Sequence, residues 1–162
     1  MTSSYSIDVY EDKLDKYFLD NNISNKTQHK LVTSNIIAVP SSYPGDEYYF
    51  AQDTIDFLKY CNSVDPTYFF DLLADNDIKV LTLHSFDIFL PVIWIASSIL
   101  LPLMVNLASS YIWEKLKGRE HEDAQVEFTL IIIDDDKKKR LYYNGDAKTF
   151  KDTFEKIDIS RL

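Results

Sequence analysis

Twenty-five consecutive positions, Phe89 to Trp113, carry no charged side chain, although charged residues make up 27% of the 162-residue chain. Few environments accept such a segment. As one α-helix it is about 37 Å long, against about 30 Å of bilayer hydrocarbon, so it can span a membrane with some tilt. A fold surrounded by water must instead cover it on every side, and a domain of this length is only about as wide as that helix is long.

The predicted helix, residues 88–117, is not uniform. At about 100° per residue, Pro91, Ser98, Pro102, Asn106 and Ser109 share one sector with Ser110 at its edge, while Ile93, Leu100, Leu103, Met104 and Leu107 lie opposite. Small and polar groups let another helix approach closely, so Ser98, Pro102, Asn106 and Ser109 are the candidate packing stripe. Trp94 and Trp113 are candidate interfacial anchors. Pro102, mid-segment, predicts a kink, whereas Pro91 is harmless in a first turn. Lys115, Lys117 and Arg119 follow the run and only Lys79 closely precedes it, which directs the C-terminal part to the cytoplasm. That orientation would export an acidic N-terminal region whose first twenty residues are polar and charged, with no signal peptide. Two readings therefore stand: insertion in the inner membrane, or a cytoplasmic protein with the helix buried in its own core or an assembly.

The expected fold class is α+β. Residues 1–87 read as a mixed α/β part, with helices over Glu11–Asp20 and Thr54–Cys61 and a further one starting at Asp65-Pro66 that buries Phe69, Phe70, Leu72 and Leu73. Asn35 to Val39 reads as a strand, Asn21 to Lys30 as a loop, and Ile78 to Leu83 as a strand. After Gly118, suited to end a helix, residues 124–162 form a ββα unit. Its strands are Val126–Ile133 and Arg140–Tyr143, Asn144-Gly145 turns the chain, and Asp146 caps a helix that buries Ala147, Phe150, Phe154 and Ile157. Some forty residues make too small a core alone, so the unit must dock, with the Ile78 strand the candidate to extend its sheet.

Composition excludes several chemistries. Three glycines leave no phosphate-cradling loop, and a single cysteine, Cys61, permits neither an internal disulfide nor a thiolate cluster. A net charge of −9 opposes binding to nucleic acid or anionic lipid. His29, His84 and His121 lack ligand spacing, and His84-Ser85 has no nucleophile elbow. Cys61 reads as an inert thiol on a helix face, Asp134–Asp136 as a solvated tip compensated by the following lysines, and Asp53, Asp56, Asp71, Asp75 and Asp77 as a hydrated surface. No residue is assigned to catalysis, a cofactor or a metal. Tyr43, Tyr48, Tyr49 and Phe50 suit either a recognition surface or a core.

The second half of the chain resembles small prokaryotic proteins that include the effector-associated constant components of bacterial conflict systems. The resemblance covers residues 88 to 157 and rests on Leu101-Pro102-Leu103 to Asn106, Tyr111-Ile112-Trp113-Glu114-Lys115-Leu116, Ile131-Ile132-Ile133-Asp134 and Tyr143-Asn144-Gly145-Asp146. It implies a non-enzymatic accessory or adaptor encoded near an effector, with antiviral defence as the implied setting, and carries over no catalytic residue. The expected function is accordingly association through the apolar helix, with a protein partner or a second copy and at a membrane if the helix inserts. The alternative is an interaction module of a hetero-oligomer with that helix in its core.

Overall fold

The computed structural model describes residues 4–10, 14–42, 48–68, 70–75, 78–81, 87–118, 123–134 and 137–155. The chain begins with β1 (Ser4–Val9), α1 (Leu14–Asp20), α2 (Asn25–Thr33) and β2 (Ile36–Val39). The short β3 (Ser41–Ser42) and β4 (Tyr48–Ala51) precede α3 (Thr54–Val64), β5 (Phe70–Leu72) and β6 (Val80–Leu81). Then come β7 (Ile88–Ile95), α4 (Leu101–Leu116), β8 (Gln125–Asp134), β9 (Lys137–Asp146) and α5 (Phe150–Glu155).

The expected long helix over 88–117 does not form; the uncharged run divides into a strand and a helix. Val92-Ile93-Trp94-Ile95 is β-branched and aromatic, and it fills a central strand buried from both faces, where a continuous apolar run belongs. Pro91 lies where the β7–β8 register shifts and outside the β2–β7 ladder, so its missing N–H costs no ladder bond. Ser97 ends the strand segment: its Oγ accepts the Ile99 N–H at 3.2 Å and starts the turn of 3-10 helix that leads into α4. Pro102 then sits in the first turn of α4, where amides have no intrahelical partner, in place of the expected mid-helix kink. The sixteen residues of α4 are about 24 Å long, short of the hydrocarbon thickness. No helix among the described residues is long and apolar enough to cross a membrane, so the inner-membrane expectation finds no support in a helix.

Six strands form one mixed sheet in the order β1-β9-β8-β7-β2-β5, and β3, β4 and β6 form a small second one. The main sheet takes strands from all three predicted parts of the chain. Alternate side chains serve opposite faces. Ile36, Ala38, Ile93, Ile95, Leu130 and Ile132 pack under α3, α4 and α5, while Ile37, Val39, Trp94 and Ile131 meet Leu14 and Tyr17 of α1. The fold is thus mixed α/β with helices on both faces.

The C-terminal ββα unit is present. Its hairpin is longer than expected, because Asn144-Gly145 continues β9 opposite Glu127 and Val126 and makes no turn. Asp146 does cap the closing segment, its Oδ1 accepting the Lys148 N–H at 2.9 Å, and Gly118 ends α4 at φ 82°. The β7 strand, parallel to β8, extends the hairpin sheet in place of the Ile78 segment, whose β6 pairs with β4. Two further expectations are corrected. Asn25–Thr33 is a helix, since Ser24 caps it by accepting from Thr27, and the segment after Asp65 turns and enters β5 alongside β2. Phe69 and Ile157 lie outside the described residues.

Candidate functional site

Concave surfaces lie on both faces of the sheet. On the face of α3, α4 and α5, a groove of about 610 Å³ runs between α4 and the Ala147–Asp152 segment. Ile112, Leu116 and Phe150 contribute its apolar lining, and Glu114, Lys148, Lys151 and Asp152 its charge. Ser109 and Trp113 line it as well, and the Trp113 side chain is 62% exposed. Pro102, Asn106 and Ser110 are also exposed, so most of the predicted stripe forms the outer face of α4. The inner face, with Met104, Leu107, Ala108 and Tyr111, is buried against the sheet.

The other predicted residues lie elsewhere. Ser98 falls in the turn before α4 and is half-buried. Trp94 is not an interfacial anchor: at 3% exposure it lies in β7 on the far side of the sheet, in edge-to-face contact with Tyr10 at 5.8 Å and under the Lys138 ammonium at 5.1 Å. Strand geometry causes this separation, because Trp94 alternates with Ile93 and Ile95 and points away from α4.

The opposite face of the sheet holds a second cleft, of about 630 Å³, between the start of α1 and the β3–β4 ribbon. Asp8, Glu127, Thr129, Arg140 and Tyr142 supply its polar floor, with Tyr48 and Tyr49 on its wall. The Arg140 guanidinium lies 5.2 Å from the Tyr142 ring centre, and among the described residues its buried Nε has no hydrogen-bond partner. Burial, and then the nearby Glu127 carboxylate, push the Tyr142 phenol above its usual range. Sequence grounds offer Tyr48 and Tyr49 for a recognition surface and read Arg140 only as the end of a solvated basic run, which does not join Arg140 and Tyr142. The two-residue spacing of the latter pair in a strand is the signal that sets both on one face.

The acidic residues have structural partners. Asp53, buried before α3, accepts the Tyr111 hydroxyl at 2.8 Å and the Phe89 N–H at 2.9 Å, with Lys115 3.8 Å away. It joins the entry of β7 to both α3 and α4. Burial, then the Asp53 charge, hold the Tyr111 phenol far above its ordinary value. Asp56 faces Lys115 at 3.7 Å, and Asp71 meets Lys30 at 3.0 Å. Asp75 braces the Ser24 cap of α2 by accepting from Thr27 Oγ1, Ser24 N and Ser24 Oγ, and these bonds lower its pKa. Cys61 is fully buried, and burial pushes its thiol up to about 12, which keeps it a thiol. His29 is exposed on α2, while His84, His121 and Asp77 fall outside the described residues.

No family model matches the chain, nor does any curated protein or solved structure.

Proposed function

We propose that the chain is a non-enzymatic accessory module that binds a protein partner through the outer face of α4 and the groove beside α5. The observation that carries this reading is Trp113, a large aromatic ring left 62% exposed at a groove with apolar lining. Exposed tryptophan beside a concave apolar surface is the usual makeup of an interaction hot spot. Pro102, Asn106 and Ser110 extend the same face with side chains small enough for a partner's backbone to come close. The resemblance of residues 88 to 157 to effector-associated constant components supports the accessory role. Here the helix acts from its solvent side, while the rest of the uncharged run builds the core.

A photo-crosslinking amino acid placed at position 113, in cells carrying the chain in its native context, tests the reading. The expected result is one discrete protein adduct, absent when the probe is at position 32, where Val32 is exposed on α2. Failure to form an adduct at 113, or the same products from both positions, would overturn it.

A further inference from the structure

Among the described residues no strand pairs with the outer edge of β1, and that edge is apolar. Tyr10 N donates to Lys138 O at 3.0 Å across the β1–β9 ladder. Antiparallel bonding alternates, so Asp8 and Ser6 also bond inward to β9 while Tyr5, Ile7 and Val9 turn their N–H and C=O groups outward. The side chains of these same three residues are 53%, 43% and 81% exposed. Edge strands are ordinarily blunted by lysine, proline or a bulge. This one has no lysine, proline or bulge, and its one charge, Asp8, lines the cleft that also holds Arg140: its six residues read Ser-Tyr-Ser-Ile-Asp-Val.

We propose that β1 pairs with β1 of a second copy, antiparallel about a two-fold axis through Ile7. In that register Ile7 faces Ile7 of the other copy, and Tyr5 faces Val9. All three outward-bonding residues then find partners, for a total of about six backbone hydrogen bonds. The Tyr5–Val9 pairs set an aromatic ring against a β-branched side chain, a favourable cross-strand combination. Asp8 faces Ser6, so the strand's only charge meets no like charge. Centring the axis on Asp8 would bring the two carboxylates together, and centring it on Ser6 would leave Val9 without a partner inside the strand. The strand is self-complementary in one register, as an isologous interface requires, and the result is a continuous twelve-stranded sheet. This inference is independent of the α4 reading, which concerns another surface.

Sedimentation velocity over a concentration series of the full chain tests it. The expected result is a monomer–dimer equilibrium that Ile7→Lys shifts to monomer, with unchanged circular dichroism, while Val32→Lys leaves it intact. A second variant reads the register directly. Ile7→Cys should crosslink two copies under mild oxidation, whereas Tyr5→Cys should not, because the two Tyr5 positions are about 13 Å apart across the axis. A wild-type chain that stays monomeric at every concentration, a dimer indifferent to Ile7→Lys, or equal crosslinking at both positions would overturn the proposal.

Discussion

Replacing Asp53 and Tyr111, singly and together, examines the bond that ties α4 to the entry of β7. The Asp53 carboxylate is 7% exposed and accepts both the Tyr111 hydroxyl and the Phe89 N–H. A hydrogen bond to a charged acceptor contributes about 1.5–3 kcal/mol, so Tyr111→Phe should cost about 2 kcal/mol. Asp53→Ala removes both bonds and strands a buried hydroxyl and a backbone N–H, for about 3–4 kcal/mol. Because the variants share one contact, the double variant should cost about 1.5 kcal/mol less than the sum of the two. Urea unfolding followed by far-ultraviolet circular dichroism measures all four corners of the cycle. Costs that add to within about 0.5 kcal/mol would show that the pair does not interact as described and would refute the reasoning.

Alkaline pH should weaken the fold. Burial raises Tyr17 and Cys61 to about 12 each, so between their unfolded values near pH 9–10 and about 12 only the unfolded chain releases these protons. Each group then lowers stability by about 1.4 kcal/mol per pH unit, and thermal midpoints that stay flat from pH 8 to 11 would contradict this. In the acid range the sign reverses: the lowered pKa of Asp75 supplies stability above its unfolded value that is lost as pH falls, so Asp75→Asn should flatten the acid limb of a melting-point profile. The two tryptophans should differ in fluorescence. Trp94→Phe should leave a red-shifted emission readily quenched by acrylamide, and Trp113→Phe a blue-shifted one that resists quenching. Equal quenching would place both rings in one environment.

Much of the outline was legible where a single period dominates. Of the faces that helical spacing predicts, Leu14 and Tyr17 of α1 and Phe57 and Leu58 of α3 are buried while Phe18 and Ile55 are half-buried, and Phe128 and Phe150 pack in the ββα unit. The uncharged run was illegible for a physical reason. A strand covered on both faces and a helix inside a bilayer both lack charge, and periodicity does not separate them. The deciding signals were local: β-branched residues at Val92 to Ile95, the capping Ser97, and Pro102 placed for a first turn. The α2 helix was missed because its polar sequence hides a cap whose oxygen partners, on Asp75, lie fifty residues away. Asn144-Gly145 suggests a turn by local preference, yet pairing with β8 holds it extended. The polar cleft at Arg140 is built from β1, β8 and β9 together, and no stretch of sequence displays such a cross-strand row.

The pairing of β1 with β9 joins Ser4 to Asn144, among the most distant partners along the chain. During synthesis this strand leaves the ribosome well before its neighbour exists, so the sheet closes only after residues 137–146 have also emerged. Until then the strand has both of its backbone edges unsatisfied, and other nascent copies on the same messenger present the same strand. A strand that pairs so far ahead along the chain makes closure of the sheet a late, long-range event, and crowding of unfinished chains is where its assembly is most open to error.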